Sequence, residues 1–212
     1  MVFTENCPRE SGFTRGVEVD DQSFRLGDHK RFIARKAMER LIEQLDFGAR
    51  RWCIHFPPPH DYDATTQSLV DACKRAGKSL AVAKLPDTKS FRFRLGRRPS
   101  IFDWFCAATG STLKDAKRIV AAMPVSIHPD FRCNAMNPMR FLGLATAIAE
   151  RPDVLIYETS GMDPLGIKKI HSYAREQYSQ GCLIHVCWHA NTDMCPNASD
   201  CSIIKSDSGN AK

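Results

Sequence analysis

Along this chain, short continuous apolar runs alternate with segments in which apolar residues are spaced three and four apart. Apolar runs bounded by turn residues predict β-strands, and the helical spacing predicts amphipathic α-helices. The predicted strands cover residues 51–56, 79–85, 154–157, 182–188 and 201–205. The predicted helices cover residues 29–45, 63–76, 101–123, 138–150 and 164–180. Strands that alternate with helices in the C-terminal half predict an α/β fold with a parallel sheet.

Glycine and proline positions set the expected ends of these elements. The pair Gly110-Ser111 predicts a break within residues 101–123, with a new helix starting at Thr112. Gly77 follows the helix at 63–76 and is interpreted as its stop signal. Prolines at positions 57–59 end the first strand, because proline has no N–H to donate to a sheet.

Composition and charge favour a soluble protein with reduced cysteines. The chain has 212 residues, of which 43% are hydrophobic and 25% charged, as in ordinary globular domains. No apolar run reaches the roughly 18–20 residues of a membrane span, and the N-terminus lacks a signal-peptide pattern. Nine cysteines, an odd number without paired spacing, favour free thiols. We therefore expect a cytoplasmic protein with no membrane span of its own.

The net charge of +6 points only weakly to an acidic partner. Basic residues concentrate at 91–98 (FRFRLGRR), where arginines alternate with apolar residues. This alternation favours an edge strand with phenylalanines inward and arginines in solvent. A nucleic-acid contact through the same arginines is the minor alternative.

The most specific pattern lies at 151–164 (RPDVLIYETSGMDP), followed by 181–189 (GCLIHVCWH). It joins an apolar strand, an acidic residue, a Ser-Gly-x-Asp-Pro turn, a helix, a second strand and a histidine. The pattern resembles the second half of an ATP-binding cassette, the nucleotide-binding domain of ABC transporters, where the segment reads RPDVLILDEPTSGLDP. The resemblance covers residues 96–209. It implies a P-loop NTPase-like, mostly parallel sheet flanked by helices, with a helical insertion before the Walker B strand.

On this resemblance the chain forms one domain over residues 1–212. It divides into a divergent N-terminal part (1–95), a part similar to the helical subdomain (96–140), and a part with Walker B, D-loop and switch histidine (141–209). Glu158 stands alone where the family has a Mg²⁺-supporting Asp followed by a catalytic Glu. Alternatively, Tyr157 replaces that Asp and Glu158 keeps the catalytic position. His189 matches the switch histidine.

The same resemblance places further residues near a nucleotide. Ser160, Gly161 and Asp163 match the D-loop turn. Residues 96–105 (GRRPSIFDWF) resemble the Q-loop segment PQRPSLFDWL, so that Arg97 takes the position of a metal-contacting Gln. Arginine cannot ligate Mg²⁺ but can contact a phosphate.

Two motifs that hold phosphate are absent from the sequence. After the first strand the chain reads PPPHDYDATTQSL, without the glycines and lysine of a P-loop. The signature LSGGQ would fall at residues 134–138, which read NAMNP. We therefore interpret the chain as a degenerate cassette, for which the sequence firmly implies no cofactor and leaves ATP with Mg²⁺ open. It would act by pairing with another cassette, as a homodimer or heterodimer, or with a permease at the inner membrane. An active ATP-binding subunit is the alternative.

A cluster of possible zinc ligands lies near the C-terminus: His185, Cys187, His189, Cys195 and Cys201. Such side chains bind zinc when they converge. No C-x-x-C pair occurs among them, and cysteines in apolar strands are usually buried thiols. We therefore predict no metal site there.

Overall fold

The computed structural model describes residues 42–43, 45–48, 51–55, 62–86, 100–187 and 202–205. The strands are β1 (Arg51–His55), β2 (Leu80–Val82), β3 (Val154–Glu158), β4 (Cys182–Cys187) and β5 (Ser202–Lys205). The helices are α1 (Tyr62–Arg75), α2 (Ile101–Thr109), α3 (Leu113–Ala121), α4 (Met136–Ala149) and α5 (Pro164–Gln177). The basic segment at 91–98, with Arg97, and also His189, Cys195 and Cys201 lie outside the described residues.

The five strands form one sheet in the order β2-β3-β4-β1-β5, and all neighbouring strands are parallel. Parallel neighbours require a crossover between them, and helix α5 lies in the connection between the neighbouring strands β3 and β4. The predicted α/β fold with a parallel sheet is confirmed. Strand β2 is shorter than expected, and α4 begins two residues before the expected start at 138.

Strands β3 and β4 are buried on both faces of the sheet, since successive strand residues point to opposite sides and both sets are buried. One core cluster places Val154 and Ile156 of β3 against Leu69 and Cys73 of α1. The other places Leu155 and Tyr157 against the helices on the opposite face. Burial on both faces explains why the strands read as continuous apolar runs rather than alternating ones.

The predicted helical insertion lies between β2 and β3 and contains α2, α3 and a 3-10 turn at Phe131–Cys133, followed by α4. Gly110 ends α2 in the left-handed conformation with φ of 68°, which glycine adopts without strain. Thr112 caps α3 by accepting a hydrogen bond from the backbone N–H of Asp115. Both signals agree with the break expected at Gly110-Ser111.

Helix α4 lies very close to the end of β2. A Cβ atom at Gly143 would stand 2.1 Å from the carbonyl oxygen of Lys84, so only glycine permits this approach. The contact fixes the helix against the sheet and brings its N-terminal half, including Arg140, to the end of β3. Among the described helices, none has the length and apolar character to cross a lipid bilayer.

Candidate functional site

The candidate site lies at the carboxyl end of β3, the edge where parallel α/β sheets usually bind ligands. It consists of residues 158–163, which we call the β3 turn, and of the first turns of α4 and α5. Residues 56–61, which follow β1 in the sequence, lie outside the part of the chain that the structure describes.

A buried ion pair joins Glu158 to Arg140 of α4. The side chains are 14% and 7% exposed, and Arg140 Nη1 contacts Glu158 Oε1. The other carboxylate oxygen, Oε2, accepts a hydrogen bond from Ser160 Oγ at 2.9 Å. Arg140 Nε donates to the carbonyl oxygen of Ser160 at 3.3 Å. Each carboxylate oxygen of Glu158 therefore has a partner within the protein.

The turn itself is held by its backbone. Met162 N–H donates to the carbonyl oxygen of Thr159 at 3.2 Å, and Gly161 between them has φ of 76°. A Cβ atom at Gly161 would lie 3.2 Å from Cγ of Met136, so this position favours glycine for conformation and for space.

Asp163 links the starts of α4 and α5. It caps α5 by accepting from the Gly166 N–H at 2.7 Å, and Asn137 Nδ2 donates to its second oxygen at 2.5 Å. The Gly166 bond, and then the Asn137 bond, lower the pKa of the Asp163 carboxyl below its usual value of 3.8. Asp163 is thus an ionised cap, and its carboxylate is engaged by protein donors.

A row of buried polar side chains crosses the sheet beneath the turn. Cys53, His185 and Tyr157 are register partners on the neighbouring strands β1, β4 and β3. His185 Nδ1 lies 3.3 Å from Cys53 Sγ, and its Nε2 lies 3.1 Å from Thr159 Oγ1. Tyr157 Oη lies 2.7 Å from His171 Nδ1 on α5. These contacts connect the β3 turn to the centre of the fold.

These buried polar groups do not form a recognisable metal centre. Within the described ranges, no three His, Cys, Asp or Glu side chains are grouped so as to hold a metal ion. Of the five candidate zinc ligands, His185 and Cys187 are buried. Burial also raises the pKa of the Cys73 thiol to about 11 and of Cys182 to about 12, which keeps both protonated near neutral pH.

The structure brings together four of the six site residues expected from the sequence: Glu158, Ser160, Gly161 and Asp163. The positions of Arg97 and His189 relative to them stay predictions. Sequence reasoning missed Arg140, although a charged residue among the apolar residues of Met136–Ala149 was a signal. It also missed Asn137, Thr159 and the partnership of His171 with Tyr157, since these contacts join residues from different elements.

These contacts decide whether the β3 turn can hold Mg²⁺. A magnesium site needs carboxylate or other oxygen atoms that are open to the metal. The Glu158 carboxylate instead faces the guanidinium of Arg140. The described residues of the β3 turn therefore do not fit Mg²⁺ as they stand.

The parallel sheet, the flanking helices and the insertion before β3 define a parallel α/β fold with a helical insertion. No protein-family model matches the sequence, and no curated protein matches it. Among solved structures, the chain is similar to cbiO1 from Clostridium perfringens, part of the ABC transporter complex cbiONQ. That similarity has a TM-score of 0.47 and 14% identity, and covers 74% of this chain and 73% of that chain.

A second similar structure is Drosophila ORC bound to GC-rich DNA and Cdc6. It has a TM-score of 0.35 and 12% identity, and covers 97% of this chain but 36% of that chain. Likenesses at these values establish neither an activity nor a partner for the present chain.

Proposed function

We propose that this chain is a catalytically degenerate ABC-type ATPase-like subunit that acts through protein association. Its partner would be an active cassette or a membrane permease complex, and its place the cytoplasm or the cytoplasmic face of the inner membrane. The observation that carries the proposal is the buried pair of Glu158 with Arg140. In this subunit, the carboxylate that resembles the catalytic or metal-supporting residue serves to hold the fold.

The energetics of a buried ion pair support this role for Glu158. Turning the carboxylate towards a ligand would leave Arg140 buried without its counter-charge. Removing one partner from a buried pair costs about 3–5 kcal/mol. A ligand would have to supply that free energy before gaining any affinity, so the pair opposes use of Glu158 as a base or metal ligand.

The start of α4 adds a second line of support. This helix begins within NAMNP, the segment that stands where the family signature has its glycines. Ala135 at the N-cap makes no side-chain hydrogen bond, and Asn137 in the first turn is engaged with Asp163. Glycines at such a helix start would let a phosphate approach the backbone N–H groups. The side chains of Met136 and Asn137 stand there instead.

The surface around the β3 turn supports association. Leu165, the second residue of α5, is 63% exposed, and Met136 beside Gly161 is 38% exposed. Asp163, an ionised cap, accepts hydrogen bonds from Asn137, which follows Met136, and from Gly166, which follows Leu165. Under the proposal, Leu165 and Met136 are the apolar side chains that a partner would cover at this edge of the sheet.

The association is tested by affinity purification of the intact chain and mass-spectrometric identification of what binds. We expect a permease or a second cassette, retained by the wild type and lost with Leu165→Glu. Leu113→Glu is the matched control, because Leu113 is 50% exposed on α3 in the helical insertion. Binding that survives Leu165→Glu but is lost with Leu113→Glu would place the partner elsewhere. Recovery of neither class of partner would contradict the proposal.

A further inference from the structure

We propose that the guanidinium of Arg140 occupies the place of a cation at the end of β3. It thereby excludes the Mg²⁺ that the resemblance to an ATP-binding cassette implies. The inference rests on the proposed function and deepens it, because it names the group that disables the site. It concerns the carboxylate at the start of the β3 turn, Glu158, whose two oxygens both have partners.

The surroundings of the guanidinium resemble those of a bound cation. It contacts Glu158 Oε1 and the carbonyl oxygen of Ser160, while Ser160 Oγ holds the second carboxylate oxygen. A carboxylate, a hydroxyl and a backbone carbonyl are the ligands that hard cations such as Mg²⁺ and Mn²⁺ prefer. Here these oxygens converge on or beside a side chain of the same protein.

Arg140 cannot easily give way to a metal ion. It is 7% exposed on a helix whose next residues, Phe141 and Leu142, are fully buried. The same helix is fixed against the sheet where Gly143 meets the Lys84 carbonyl. A divalent ion at Glu158 would either lie beside a buried positive charge or displace it from its partners, and both are unfavourable.

Contacts at both ends of the β3 turn indicate that it is organised without a ligand. Thr159 Oγ1 lies 3.1 Å from His185 Nε2, and Asp163 is held by Asn137 and by the Gly166 N–H. Together with the guanidinium of Arg140, these contacts hold the β3 turn in place through protein groups alone.

Paramagnetic broadening by Mn²⁺ tests the inference, with MnCl2 as the probe and backbone amide NMR signals as the readout. In the wild type we expect no selective broadening at Thr159, Ser160 or Gly161. In Arg140→Met we expect broadening at these amides, with an apparent affinity at least about tenfold higher than in the wild type. Arg140→Lys keeps the charge and should stay silent. The double variant Arg140→Met/Glu158→Gln also removes the carboxylate and should show no selective broadening either.

Selective broadening of the β3 turn in the wild type would overturn the inference. So would its absence in a folded Arg140→Met variant. If that variant is unfolded without metal, MnCl2 should restore the folded state by circular dichroism, and failure to restore it would count against the inference.

Different experimental results would reject the proposed function and the role of Arg140. Nucleotide hydrolysis by the wild type would reject the proposed function, whatever Mn²⁺ does at the turn. A folded Arg140→Met variant that shows no Mn²⁺ broadening at the β3 turn and still binds its partner would reject only the role assigned to Arg140.

Discussion

A double-mutant cycle on Arg140 and Glu158 would measure how strongly the pair holds the fold. The three variants are Arg140→Met, Glu158→Gln and the double variant, which keeps similar shapes but contains neither charge. Each single change leaves a charge buried without its partner, at side-chain exposures of 7% and 14%. Such a loss costs about 3–5 kcal/mol of unfolding free energy. Arg140→Met also removes the hydrogen bond to the Ser160 carbonyl, worth about 1 kcal/mol.

The double variant should be far less destabilised than the sum of the two single variants. Replacing a buried ion pair by neutral groups of similar volume is often neutral or stabilising. We therefore expect it to lie within about 1 kcal/mol of the wild type and the coupling free energy to reach at least about 3 kcal/mol. Urea unfolding followed by circular dichroism gives these values, provided that the slope with denaturant is similar in all four proteins.

The exposed pair of Arg118 and Asp115 on α3 is a matched control. Its nitrogen–oxygen distance is 3.0 Å, and its side chains are 78% and 45% exposed. A cycle with Arg118→Met and Asp115→Asn should give a coupling of only about 0.2–1 kcal/mol, because solvent screens the charges. A coupling for Arg140 and Glu158 that falls in the same range would refute the argument that the pair fixes the carboxylate.

Three further predictions concern single groups. Arg151→Gly should stabilise the protein by about 0.5–1 kcal/mol in urea unfolding, because Arg151 follows α4 with φ of 51°, where glycine is favoured; destabilisation would contradict this. NMR titration of the Asp163 carboxyl should give a pKa below 3.8. Its contribution to the free energy of unfolding is then fully present above the pKa of the unfolded chain and is lost as the pH falls through the pKa of the folded protein. An ordinary pKa would show that its two hydrogen bonds are absent in solution. Cys73 and Cys182 should react with a thiol reagent far more slowly than the exposed Cys133, as their raised pKa values of about 11 and 12 and their burial require; equal rates would contradict this burial.

Local chemistry made much of the described fold predictable. Gly110 ends one helix and Thr112 begins the next, because glycine adopts positive φ and a threonine hydroxyl satisfies a helix N–H. Gly77, with φ of 65°, follows α1 as expected of a stop residue. Asp163 caps α5 before Pro164, a role that the sequence reading did not assign to it, although an acidic residue before a proline is a helix-start signal.

Contacts between distant elements were not predictable from one sequence. The period of α4 marks its apolar residues, but not the fact that Arg140 faces the end of β3. The register that aligns Cys53, His185 and Tyr157 depends on strand order, which no local pattern contains. For this reason the sequence identified Glu158 by its place after a strand, whereas its actual partners came only from the structure.

Binding and turnover of Mg·ATP by the purified chain test the central claim most directly. The measurement is a calorimetric titration combined with phosphate release, on the wild type and on Glu158→Ala. If Glu158 is committed to Arg140, neither protein binds ATP at micromolar concentration and neither releases phosphate above background. Micromolar binding or hydrolysis by the wild type that is abolished in Glu158→Ala would contradict the account.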